Sequence, residues 1–350
     1  MLFYLSNFKY RLLQILSVFG GWLMINEELQ QFYQEITSIL ENSQFQLSTP
    51  LLGFGGCFDL VAKKQNLLLL IKIVLNIDSL REEQTFELRK LSIMLEGFPL
   101  IVGKRIRNNV DIEDGVVYTR YEIPAVSVAT LHNLLINHLP PLIYACRGGF
   151  KVKFDGALLK EKRLAKNYSM GNLAQEIGVS KRTIYEYEHG TVDVSLETAL
   201  KIEEILNEPL TIAINLFEDM KRIGSLTTPT SLNNRPKSDI EREVKEHFDT
   251  LGLTDQLWTK KIPIRVLARY LDTEKGDKST TTVTGISEEP TKEDVVKKVR
   301  VTYNISKIAE VDPLLIIGSS DTPNKLNVDG VPILSIDELL KKKKKSKKTA

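Results

Sequence analysis

Two stretches carry residue types at spacings that can do chemistry. The first runs Ser169-Met-Gly-Asn-Leu-Ala-Gln-Glu-Ile-Gly-Val-Ser-Lys-Arg-Thr-Ile-Tyr-Glu-Tyr-Glu-His-Gly190. Its spacing of Ala174, Gly178 and Ile184 suits two helices that cross closely. Alanine stands where they touch, glycine permits the tight turn, and isoleucine plugs the core from the second helix. Leu173, Ile177 and Val179 supply the rest of that core. Residues 151–182 hold eight basic and three acidic side chains, and residues 183–206 hold one basic and six acidic. The block therefore has a positive end that can meet phosphates and a negative end that cannot. A helical protein-interaction module is the other reading of the same pattern. The second stretch is Phe58-Asp59-Leu-Val-Ala-Lys63, followed by Leu67 to Val74 with Lys72 inside it. One carboxylate and one amine on two apolar strands make an ion pair at a strand end or a phosphate contact.

The elements that must position these residues follow from length and pattern. A chain of 350 residues favours two or three packed units. Apolar residues at 42% and charged residues at 26% exclude a mostly disordered, collagenous or membrane-embedded chain. The net charge of +2 hides a local bias, because seven of the 47 basic residues are lysines within the last ten. Residues 1–340 thus carry 40 basic against 45 acidic groups, a balance of −5, so any basic surface is local. Cys57 and Cys146 are too few for a disulfide framework or a zinc site and read as small buried hydrophobes in a reducing cytosol. His132, His138, His189 and His247 lack metal-ligand spacing and read as surface or helix-end residues. Gly53-Phe-Gly-Gly56 precedes a strand where a phosphate loop follows one, so it reads as a turn. No cofactor or metal site is expected.

Residues 1–23 form a doubtful leader, too short and too broken to span a bilayer and without a cleavage pattern. Met24 reads as the start of the folded chain, with an interfacial anchor as the alternative role for what precedes it. An amphipathic helix follows, with Ile25, Leu29, Phe32, Tyr33, Ile36, Ile39 and Leu40 on one face. Residues 24–140 read as a first α/β domain, 151–220 as an all-helical domain, 221–237 as a linker, 238–340 as a second α/β domain and 341–350 as a Lys-rich tail.

The two α/β domains look like copies. Each starts with an amphipathic helix, the second bearing Ile240, Val244, Phe248 and Leu251. Two strands follow in each, residues 56–63 and 67–75 in the first and 263–269 and 280–286 in the second. A helix of the capping-box kind comes next, Ser79 with Glu82 and Thr291 with Asp294. Pro99 to Gly103 then matches Pro313 to Gly318, and Pro124 to Leu131 matches Pro332 to Leu339.

At the residues quoted above, the middle block resembles the lambda-repressor or Cro-type helix-turn-helix over roughly residues 155–207. Helices are expected at Leu158 to Lys166 and, capped by Ser195, at Ser195 to Leu206. The resemblance implies that Ser180 to Glu188 is a recognition helix for the major groove. Lys181, Arg182, Tyr185 and Glu186 are then the candidate base contacts, and Ser180 caps the helix and reaches phosphate. The first α/β domain resembles PD-(D/E)xK phosphodiesterases, in which a strand aspartate and an acidic residue two before a lysine hold a divalent metal. Asp59 and Lys72 match that pattern, Leu70 occupies the acidic position, and Arg265 stands at the aspartate position of the second copy. The resemblance therefore implies the fold and argues against the activity, with Glu35 or Asp78 able to supply a migrated carboxylate. The whole arrangement resembles a family of archaeal transcriptional regulators.

The expectation is a cytoplasmic, dimeric, sequence-specific regulator of transcription. It would bind double-stranded DNA with no membrane partner and no enzymatic activity; its effector is unknown. A metal-dependent nuclease, a protein or RNA scaffold, and an antitoxin-like interaction protein are the alternatives.

Overall fold

The computed structural model describes residues 27–51, 56–217, 235–253, 255–259, 264–270, 280–287, 292–318 and 331–338. Met24, Ile25, the leader, Gly53–Gly55 of the expected turn, most of the 221–237 linker and the lysine tail lie outside the described residues. The described residues divide into two compact units. The first comprises those up to Ile73, Arg81–Pro99 and those from Thr227 onwards; the second comprises Val74–Leu80 and Leu100–Leu226.

In the first unit, helix α1 (Glu27–Asn42) buries Phe32, Tyr33, Ile36, Ile39 and Leu40, the stripe its sequence spacing predicts. Strands β1 (Gln46–Leu47), β2 (Leu60–Lys64) and β3 (Leu67–Asn76) pair antiparallel. Helix α2 (Glu82–Met94) then leads into β4 (Phe98–Ile106). A Cβ on Gly97 would meet Leu70 Cδ1 at 2.7 Å, so glycine lets the chain enter β4 against β3. The α2 cap differs from expectation: Ser79 closes a 3-10 turn at Ile77–Ser79, and Arg81 is the N-cap. Its amide donates to Gln84 Oε1 at 3.3 Å. The box is displaced because Asn76 accepts from the Asp78 amide and starts its own turn first.

The C-terminal part of this unit is helix α8 (Asp239–Thr250) followed by strands β12 (Asp255–Trp258), β13 (Ile264–Tyr270), β14 (Thr280–Ser287), β15 (Asp312–Ile317) and β16 (Ile333–Ser335). They lie in the order β12-β13-β14-β15-β16, antiparallel up to β14 and parallel beyond it. The parallel β14–β15 pair needs a crossover, which helix α9 (Lys292–Ala309) provides. Val244 and Phe248 of α8 are buried as expected, whereas Leu251 falls at the helix end and is exposed. Thr291 lies outside the described residues. His247 lies in the last turn of α8, the helix-end place expected for it, and is buried there because it shares the apolar face with Val244 and Phe248. Helix α2 packs on β12 and β13, and α9 packs on β2. Lys63 Nζ meets Glu310 at 2.6 Å across that junction, and Thr281 Oγ1 donates to Met94 O at 3.4 Å.

In the second unit, β4 runs parallel to β7 (Ile123–Val126), which is antiparallel to β6 (Val116–Arg120). Strand β5 (Val110–Asp111) closes on β4, and helix α3 (Val128–Leu135) follows β7, capped by Ser127. Strand β8 (Ile143–Cys146) continues parallel to β6, and β9 (Gly149–Phe154) returns antiparallel to β8. Two short strands, β10 (Val194–Ser195) and β11 (Thr211–Ile212), pair with β9. The middle block is therefore not all-helical. β10 and β11 are two residues long, too short to show a period, whereas Phe150-Lys-Val-Lys-Phe154 of β9 does alternate apolar and charged residues, a strand signal at the domain's edge that the all-helical expectation passed over. Cys146 sits at the β8–β9 turn, where it is only half-buried, so only Cys57 fits the expected buried thiol.

Candidate nucleic-acid interface

Helices α4 (Gly156–Ala165), α5 (Met170–Ile177), α6 (Lys181–Glu188) and α7 (Leu196–Leu206) hang from these strands. Three of them start on a serine whose Oγ accepts a backbone N–H: Ser169 from Asn172 at 3.0 Å, Ser180 from Thr183 at 3.0 Å and Ser195 from Thr198 at 3.2 Å. Asp155 caps α4 in the same way, accepting from Leu158 N at 3.0 Å. Gly178 ends α5 in the left-handed region, φ 78°, with its N–H on Ala174 O. That conformation turns the chain sharply into α6.

The core beneath the turn contains Leu159, Leu173, Ala174, Ile177, Ile184, Tyr187, Ala199, Ile202 and Leu206, with Val152 and Phe154 from β9. All of the apolar residues expected to hold the two helices together are in or against it. Burying Ile184 on one face of α6 leaves Lys181, Arg182 and Tyr185 exposed on the other, with Glu186 half-buried beside them. Arg182 Nε donates to Glu186 Oε1 at 2.9 Å. The Tyr185 ring stacks on His189 with centroids 3.9 Å apart. Met170, Lys181, Arg182, Tyr185, Glu186 and Thr191 line a groove of about 640 Å³ along this face. Ser180 spends its Oγ on the cap, and its hydroxyl also lies 2.8 Å from that of Thr183.

Two supports of α6 escape the sequence reading. Arg163 of α4 donates through Nε and Nη2 to the Glu188 carboxylate at 2.5 and 3.2 Å, both side chains being buried. Its Nη1 donates to Tyr168 O at 2.8 Å. Gly156 lies so close to α6 that a Cβ there would come 2.3 Å from Glu188 O. Glu188 follows Ile184 by four positions on the buried stripe, which is the signal that marks it as an inward-facing charge in need of a partner.

The Asp59–Lys72 pair is buried at the start of β2. Lys72 Nζ is 3.0 Å from Asp59 Oδ2 and donates to Gly56 O at 2.9 Å, while the Ile73 amide donates to Asp59 Oδ2 at 2.8 Å. Burial pushes the Asp59 carboxyl above the ordinary aspartate range, with the Lys72 charge and the Ile73 amide opposing. Leu70 is buried opposite Val61 and offers no oxygen. Glu35 faces outward from α1. Asp78 is engaged by the Arg120 guanidinium at 2.8 Å and the Arg107 amide at 2.6 Å. No group of three His, Cys, Asp or Glu side chains suited to a metal occurs among the described residues. A divalent ion needs several oxygens free to turn to it, so the residues present here do not fit one. In the C-terminal part, Arg265 Nε donates to the buried Glu241 at 2.9 Å, an ion pair with no ligand character.

Known proteins match both parts. Residues 29–141 fit the model of a PD-(D/E)XK superfamily domain, and residues 159–212 fit that of a helix-turn-helix. The chain is thus a helix-turn-helix protein with a nuclease-superfamily domain. It is similar along nearly its whole length to archaeal proteins that each bear the name "Putative HTH-type transcriptional regulatory protein". That of Methanocaldococcus jannaschii is 37% identical over 91% of this chain and 94% of its own. That of Pyrococcus furiosus is 34% identical over 88% and 93%, and one from Methanococcus maripaludis 38% identical over 88% and 92%. The chain belongs to this family. No solved structure matches it. Among the described residues, no helix is long and apolar enough to cross a membrane.

Proposed function

We propose that this protein is a sequence-specific DNA-binding regulator of transcription that acts in the cytoplasm and reads the major groove with α6. The observation that carries the reading is the division of that helix: Ile184, Tyr187 and Glu188 face inward, and Lys181, Arg182, Tyr185 and Glu186 lie on the open side. One such helix reads only a few base pairs, so two copies on a two-fold symmetric operator give the required specificity. Selection of duplexes from a random pool should return a palindrome. Lys181→Ala with Arg182→Ala should then weaken binding to it at least about tenfold, since each base contact is worth ~1–3 kcal/mol. Undiminished affinity and sequence preference in a titration of the double variant would reject the assignment.

The α/β parts support this reading as scaffolds descended from one duplicated nuclease-like domain. Both carry a helix, antiparallel strands, a second helix and a further strand in that order. In both, a glutamate of positive φ follows the second helix, Glu96 at 53° and Glu310 at 57°, each three residues before a Pro-Leu pair. That no three His, Cys, Asp or Glu side chains group for a metal among the described residues favours a regulator over a metal-dependent nuclease.

A further inference from the structure

We infer that Glu186 is a positioning residue that holds Arg182 for end-on recognition of one guanine in each half-site. The inference rests on the reading of α6 as the recognition helix. Arg182 is 86% exposed and Glu186 only 28%, so the carboxylate is the anchored member of the pair. Arg182 Nε donates to it at 2.9 Å, and the two terminal amino groups of Arg182 make no hydrogen bond among the described residues. A guanidinium tethered through Nε can offer a partner only its outer edge, where two parallel N–H groups match guanine O6 and N7. A free arginine on an exposed helix spreads over many rotamers and reaches phosphate as readily as a base edge. The Glu186 carboxylate limits that spread, and its charge repels a phosphate that approaches the same guanidinium. Glu186 thus serves discrimination and gives up some unspecific affinity.

The test uses the full-length protein and its selected operator, with each base pair replaced in turn by the other three. Arg182→Ala should flatten the preference for guanine at one position in each half-site by about fivefold or more. Glu186→Ala should flatten that same position, leave the others intact, and hold or raise affinity for random duplex. Glu186→Gln should retain the preference, because its amide oxygen still accepts from Nε. Glu186→Ala combined with Arg182→Ala should match Arg182→Ala alone. If Glu186 instead reads a base itself, Glu186→Ala flattens a position that Arg182→Ala leaves intact, and the proposal fails. Equal loss at all positions, unrescued by glutamine, would mean a merely structural role and also overturns it. Should Arg182→Ala change no position, the recognition-helix reading falls with it.

Discussion

Lys72 holds its ammonium between the Asp59 carboxylate and the Gly56 carbonyl in a region closed to solvent. Removing one member of such a pair leaves the other charge buried alone, whereas replacing both with apolar groups removes the problem. Lys72→Met or Asp59→Leu alone should each lower the unfolding free energy in urea by ~3–5 kcal/mol, and the double variant should recover most of it. The pH dependence has a definite sign. A carboxyl raised by burial holds its proton to higher pH in the folded than in the unfolded chain, so the stability it confers falls as pH rises through its folded value. Lys72→Met removes the charge that opposes the rise. Its deficit should therefore shrink as pH is lowered towards the ordinary aspartate value of 3.8, and a deficit constant with pH would contradict the assignment.

At the level of elements, two glycines of the helix-turn-helix do different work. Gly178 has φ 78° and nothing within 4 Å of where a Cβ would stand, so Gly178→Ala costs conformational energy alone, ~1–2 kcal/mol. Gly156 has ordinary φ but faces the Glu188 carbonyl, and Gly156→Ala must push α4 away from α6. It should cost more than Gly178→Ala and should also weaken operator binding, because Arg163 and Glu188 separate with it. Equal melting temperatures for the two variants would refute this. The contrast explains what the sequence made legible. Gly178 was readable because a tight turn is local and its neighbours Ala174 and Ile184 stand at fixed spacing. Gly156 was not, since what it faces lies more than thirty residues away in the chain. The same holds for Arg163–Glu188 and for the short strands β10 and β11, which exist only through their pairing with β9. The amphipathic stripe of α1, the open face of α6 and the Asp59–Lys72 strand pair needed no distant partner to be seen.

Across the whole molecule, the nuclease-superfamily domain and the helix-turn-helix occupy separate stretches of the chain, residues 29–141 and 159–212. The nuclease-superfamily domain retains an aspartate and a lysine that satisfy each other. Incubation of the full chain with Mg²⁺ or Mn²⁺ and linear, nicked or four-way-junction DNA should give no cleavage. Cutting that disappears in Asp59→Ala would restore catalysis to the domain. The helix-turn-helix has its own relation to the sheet of its unit. β9 runs directly into the Asp155 cap of α4, and β10 runs directly into the Ser195 cap of α7. These two strands are hydrogen-bonded to each other, Val152 opposite Val194, and β8 ties β9 to β6. A helical domain mounted on a tether can swivel; one entered from β9 and tied back to β9 by β10, between α6 and α7, moves with the sheet. A twist introduced at β6 would pass through peptide hydrogen bonds to both caps and tilt the α6 face as one lever.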